Sequence, residues 1–205
     1  RLGTLPDRSA PRVVTWNARW LRVPHSDRAT RKRSFIQAQA AQGAICLLQE
    51  THWWAGDAAL WGGLFPQSTV VHSLAREGPG RGPQGGVAIV VPSQWEVLST
   101  RELVPSCALE VSVRRTGTFG RGIRLQSLYF GPSRRDDDVD AYVTAAPADP
   151  GQDTPLYAGG DLNLSLEAPR DHDETAAGQR LLHHWAARMS QPLDGVGHTR
   201  RGRVR

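Results

Sequence analysis

The chain opens its ordered pattern with VVTWN, a β-branched run that predicts a strand from Val13 ending near Asn17. Residues 28–42 are rich in helix formers, with Phe35, Ile36 and Ala40 expected on one side, and Gly43 stands where a helix would stop. AICLLQE and VAIVV (Val87–Val91) are near-continuous apolar runs, the pattern of strands covered on both faces. ALEVSVRR alternates with period two and predicts a half-exposed strand, and IRLQSLYF (Ile123–Phe130) another. DDDVDAYVTAA reads as a helix with its aspartates at the positive N-terminal end. PLYAGGD then predicts a further buried strand and ETAAGQRLLHHWAARM a further helix. Strands and helices alternate, with some strands consecutive, so the class is α/β with mixed sheet content. The alternation fits two packed sheets and also a single doubly wound sheet.

Polar residues recur where the apolar runs end: Asn17 after VVTW, Gln49 and Glu50 after AICLL, Tyr129 within LQSLYF, and Asp161 and Asn163 after PLYAGG. Each has a plain structural explanation, since Asn and Asp favour turns, Glu starts helices and Tyr half-buries in cores. In LYAGGDLNLS, however, a carboxylate and a carboxamide stand two residues apart, and on an extended backbone such side chains point the same way. Together these groups predict an oxygen-rich, acidic pocket at the ends of strands. Carboxylate and amide oxygens are the ligands that Mg²⁺ or Mn²⁺ prefers.

The 205 residues suit one domain, and 39% hydrophobic content suffices for a sizeable core. The formal charge is +5, almost all of the positive residues being arginine. Arginine forks match phosphate oxygens, yet a GC-rich genome enriches arginine whatever the function, so charge alone decides nothing. No apolar run approaches the roughly 18 residues of a membrane span, and no partner membrane is expected. Cys46 and Cys107 sit in apolar runs without metal-ligand spacing and are expected to be buried thiols, which fits an intracellular protein. The acidic DHDE (Asp171–Glu174) is read as a helix-capping loop, and His183 and His184 as ordinary helix residues.

In order and wording, VVTWNARWL, ICLLQETHW, GRGPQGGVAIVV, LQSLYFGPS and YAGGDLNL resemble the endonuclease/exonuclease/phosphatase family. That family includes apurinic/apyrimidinic endonucleases, pancreatic deoxyribonuclease, inositol polyphosphate 5-phosphatases and the endonuclease domains of non-LTR retrotransposons. The glycine-rich GRGPQGGVAIVV and the tyrosine strand leading to GPS look most like the retrotransposon branch. The resemblance implies a DNase I-like fold: two mixed β-sheets packed as a sandwich, with helices on the outer faces. It implies a metal-dependent phosphodiesterase acting on DNA, with a nuclear location for a retroelement product. Glu50 would hold the Mg²⁺ or Mn²⁺ with Asn17 assisting. Asp161 would activate the attacking water, Asn163 would contact the scissile phosphate, and Tyr129 would offer its hydroxyl. Arg19, Arg76 and Arg81, the last two at the loop EGPGRGPQGG, are candidates to approach a nucleic-acid backbone.

The family completes its pocket with an IDR-like strand and a serine–aspartate–histidine motif, for which this sequence offers no match, His198 in GHTRRGRVR included. The expectation is therefore a tail over residues 1–12 and a C-terminally incomplete domain over 13–205, lacking its last strands and cleaving poorly. Two other functions use the same residues: a phosphatase on inositol or lipid phosphates, and a dead remnant that only binds nucleic acid.

Overall fold

A computed structural model describes residues 11–19, 21, 27–78, 82–120, 122–146, 154–164 and 175–186. In chain order these form β1 (Val13–Asn17), α1 (Asp27–Ala41), β2 (Ile45–Gln49), α2 (Ala58–Leu64), β3 (Ser68–Ser73), β4 (Arg76–Glu77), β5 (Pro83–Gln84), β6 (Val87–Pro92), β7 (Trp95–Val104), β8 (Ala108–Arg115), β9 (Ile123–Tyr129), α3 (Arg135–Ala145), β10 (Leu156–Asp161) and α4 (Thr175–Ala186). The alternatives left open by the pattern resolve to two sheets. One runs β1-β2-β6-β3 and the other β10-β9-β8-β7, with β4 and β5 as a separate two-stranded ribbon. β1 pairs with β2 and β10 with β9 in parallel; the remaining pairs are antiparallel.

Three apolar layers follow from the two-residue period of the strands. Ile45, Leu47, Val87, Ile89, Val111 and Leu125 fill the seam between the sheets. Cys46, Leu48, Ala88 and Val90, on the other face of the first sheet, pack under Ile36 and Ala40 of α1 and Trp61 of α2. Leu128 and Ala108, on the other face of the second, pack under Val139 and Tyr142 of α3 and Ala177 and Leu181 of α4. The result is a helix–sheet–sheet–helix sandwich. Among the described residues no helix is long and apolar enough to cross a membrane.

Several expectations are corrected. Phe35 does not join Ile36 and Ala40 in the core; it is 39% exposed and lies against Trp16, ring centroids 4.6 Å apart. β8 and β9 are not half-exposed. Their polar positions Glu110, Arg124 and Gln126 are buried and bonded to one another, with Gln126 reaching Tyr142 of α3. β10, expected to be buried, is half-buried along its length as the edge of its sheet, and it includes both glycines as predicted. β3 and β7 lie where the pattern makes no strand case. In β7 the register slips between Val97 and Ser99 and again between Glu102 and Val104, and such bulges erase the alternation that marks a strand. Cys46 and Cys107 are buried free thiols, as expected. Residues Asp171–Glu174, Arg81 and His198 lie outside the described residues.

Candidate active site

Asn17, Tyr129 and Asp161 are the last residues of β1, β9 and β10, and Glu50 follows the last residue of β2. Along β1, Val13, Thr15 and Asn17 share the face toward the seam; along β9, Leu125, Ser127 and Tyr129 do; along β10, Tyr157, Gly159 and Asp161. Strict alternation would send Glu50 outward with Leu48. A left-handed backbone at Glu50, φ 51°, turns the chain instead, and Thr51 and His52 then bond back to Gly86 and Gly85. Left-handed conformations are costly for residues with a side chain, and here Glu50, His52 (φ 56°) and Asn163 (φ 47°) all adopt one around the same site.

Asn17 ties the site together. Its Nδ2 donates to Glu50 Oε1 at 3.0 Å and to Asp161 Oδ2 at 2.7 Å, while its Oδ1 accepts the Arg19 backbone N–H at 3.0 Å. Two carboxylates from different sheets are thus drawn to one amide group. The orientation is dictated by charge, because an oxygen turned toward two carboxylates would repel both. Asn17 therefore orients the pair, with its carboxamide oxygen accepting the Arg19 backbone N–H. Tyr129 brings its hydroxyl close to the carboxylates of Glu50 and Asp161. Burial first, and then the charges of Glu50 and Asp161, push its hydroxyl well above the usual tyrosine range, so the phenol keeps its proton.

Arg19 Nε lies 3.4 Å from Glu50 Oε2, on an exposed side chain, and His52 Nε2 lies 3.9 Å from the same oxygen. Lys32 Nζ donates to the Arg19 carbonyl at 2.7 Å, which brings the start of α1 to the same rim. Asn163 is adjacent but differently used. The strand stops at Asp161, so the two side chains do not run parallel as an extended backbone would have them. Asn163 N donates to Asp161 Oδ1 at 3.3 Å and its Nδ2 to the Phe130 carbonyl at 2.9 Å. Arg76, expected as a backbone contact, instead gives its fork to Asp138 of α3, both distances 3.2 Å. Burial disfavours its charge, but the Asp138 hydrogen bonds and the charges of Cys107, Asp138 and Tyr129 together outweigh that and hold the guanidinium protonated more firmly than usual. Asp138 also accepts from the Gly131 N–H at 3.4 Å, beside Tyr129. Sequence reasoning missed His52 and this clamp. Proximity to QET could have flagged His52; nothing in DDDVD distinguishes the one buried aspartate from its solvated neighbours.

The donor set suits a small hard cation. Mg²⁺ and Mn²⁺ bind through one or two carboxylates and complete their shells with water. Glu50 and Asp161 supply those carboxylates at an open rim, although no group of three or more His, Cys, Asp or Glu capable of holding a metal is found among the described residues.

The sequence signature of the Endonuclease/Exonuclease/phosphatase family matches residues 14–204. The chain belongs to that family. Solved structures of similar fold include the endonuclease domain of TRAS1, a telomere-specific non-LTR retrotransposon, at 22% identity and a TM-score of 0.55, spanning 86% of this chain and 71% of that one. The Xenopus laevis APE2 catalytic domain has 16% identity and a TM-score of 0.54, with 84% and 67% spanned. The Neisseria 3′ phosphatase NExo, bound to a product DNA hairpin, has 18% identity and a TM-score of 0.53, with 85% and 71% spanned. At these identities the likeness is one of fold. No curated protein matches the chain.

Proposed function

We propose that this member of the family is a divalent-metal-dependent phosphodiesterase that nicks DNA in the manner of retrotransposon endonucleases. The observation that carries the reading is the Asn17 amide bridging Glu50 and Asp161 from two different sheets. Mg²⁺ or Mn²⁺, held by Glu50, would supply positive charge for the phosphate as its own negative charge grows. Asp161 is the base that takes the proton of the attacking water, its second oxygen fixed by Asn17. Tyr129, kept protonated by burial and by the neighbouring carboxylates, donates its hydroxyl hydrogen toward a phosphate oxygen. Asn163 is placed to support Asp161 through its backbone N–H. Arg19 and the adjoining Lys32 form the basic approach for the nucleic-acid backbone.

The test is a plasmid-nicking assay run with Mg²⁺, with Mn²⁺ and in EDTA. Metal-dependent nicking lost in Glu50→Ala supports the reading. Phosphate release from inositol phosphates without nicking would replace it with the phosphatase alternative. EDTA-resistant DNA binding with no product would leave a binding remnant.

A further inference from the structure

Directly beneath the carboxylates polar side chains enter the seam between the sheets, beside Val87 and Leu109 in the same register. Gln49, 1% exposed and paired in register with Asn17, points across the seam: its Nε2 donates to Ser127 Oγ of the opposite sheet at 3.1 Å. The Ser127 hydroxyl donates in turn to the Leu48 carbonyl at 3.0 Å, and Thr15 Oγ1 donates to Gln49 Oε1 at 3.3 Å. Thr15 is two residues before Asn17, Gln49 one before Glu50, and Ser127 two before Tyr129. The fourth strand fits the same row by having no side chain. A Cβ on Gly159, two before Asp161, would lie 3.2 Å from Leu47 Cδ1 and 3.4 Å from Thr15 Cβ. Below this row the seam is filled by Val13, Ile45, Leu47, Leu125 and Tyr157, whose packing is non-directional.

We propose that Gln49, Ser127 and Thr15 form a polar pin that fixes the spacing of the two sheets at their site end, making Gln49 and Ser127 positioning residues for Glu50 and Asp161. The argument is one of directionality. Glu50 stands on one sheet and Asp161 on the other, so their separation is set by how the sheets sit. Apolar packing tolerates small slides, whereas hydrogen bonds lose strength steeply with distance and angle. Behind the Asn17–Asp161 bond at the carboxylates themselves, the Gln49–Ser127 bond ties the two sheets one residue from Glu50, and it is shielded from water. The inference rests on the nuclease reading for its consequence, but not for its geometry.

The test compares Gln49→Met, Ser127→Ala and the double variant. Removing one partner strands a buried polar group, whereas removing both restores an apolar seam with little net loss of stability. Each protein is measured for urea midpoint, for Mn²⁺ affinity by the electron paramagnetic resonance of free ion, for kcat and KM in nicking, and for the ¹H–¹⁵N signals of the Asn17 carboxamide without metal. The expected result is a lowered midpoint in each single variant, substantially recovered in the double. Mn²⁺ affinity should stay at least tenfold weaker and kcat at least tenfold lower in all three, with KM nearly unchanged. The Asn17 signals should move or broaden in all three. Wild-type Mn²⁺ affinity and wild-type Asn17 signals in the folded double variant overturn the pin. If the wild type binds Mn²⁺ no better than Glu50→Ala, the metal reading fails instead, and the Asn17 signals still decide the pin.

Discussion

Strand β9 carries two polar systems, one on each face, and they differ in exposure and in backbone conformation. Toward the helices, Glu110 Oε2 accepts from Arg124 and from Gln126, each at 2.6 Å. Gln126 Oε1 accepts from the Tyr142 hydroxyl at 2.6 Å, and that hydroxyl accepts from Trp185 Nε1 at 3.3 Å. The chain of bonds docks α3 and α4 on the sheet. Toward the seam, Ser127 and Tyr129 lead to carboxylates that are not saturated: Asp161 accepts two hydrogen bonds where a carboxylate has room for about four. Burial is common to both systems. So is spare acceptor capacity, since Glu110 too accepts two bonds; the half-exposure of Asp161 and the left-handed backbone at Glu50 and Asn163 are what separate the candidate reactive site from the structural joint.

The largest effect expected to sharpen that contrast is on the seam side. Glu50→Gln or Asp161→Asn should lower nicking kcat by about 10²–10³-fold or more, with the urea midpoint close to wild type. Substituting Glu110 by Leu should do the opposite. It leaves Arg124, on a side chain only 11% exposed, without its carboxylate, and should cost about 3–5 kcal/mol in urea unfolding. Mn²⁺ affinity of the folded fraction should not change. A fall in Mn²⁺ affinity as large as the seam variants show would break the division between the two faces. Tyr142→Phe removes a donor to Gln126 and the acceptor for Trp185, and should cost about 1–3 kcal/mol with kcat intact.

A pH series separates burial from reactivity. Burial pushes the Cys46 thiol up to about 11, and burial, with Asp138 beside it, pushes Cys107 up to about 12. Both folded-state values lie above the ordinary thiol value of 9.0, so each thiol's contribution to stability is fully present below about pH 9. That contribution is lost as pH rises toward the folded values, because the unfolded chain ionises first. Urea midpoints of Cys46→Ala should therefore fall less steeply between pH 9 and 11 than those of wild type, and native thiols should resist iodoacetamide at pH 8. The smallest effect belongs to the exposed pair Arg114–Glu96, at 2.8 Å, where Glu96→Gln should shift stability by about 0.5 kcal/mol or less.

Much of the fold was legible where one physical signal dominated. Continuous apolar runs marked β2 and β6, and the glycine at 43, φ 85°, ended α1 as expected. Legibility failed where alternation had another cause. The polar positions of β8 and β9 looked solvated because a single sequence cannot show which side chains lie under α3 to receive them. In the site, Asn17, Glu50, Tyr129 and Asp161 were identified from strand ends and motif order, and the structure brings all four together. The Arg76–Asp138 clamp was not legible, since its two residues are 62 apart in sequence.

By itself, the amino-acid order determined the class, the family and the residue types that gather at the strand ends, because period, glycine placement and short motifs are local properties. The tertiary structure alone decided that the strands divide into two sheets rather than one, which face of β9 meets helices, and how Asn17 joins Glu50 to Asp161 across 144 residues. Those are relations between segments remote in sequence, fixed by packing and by hydrogen bonds that form only when the sheets close on each other.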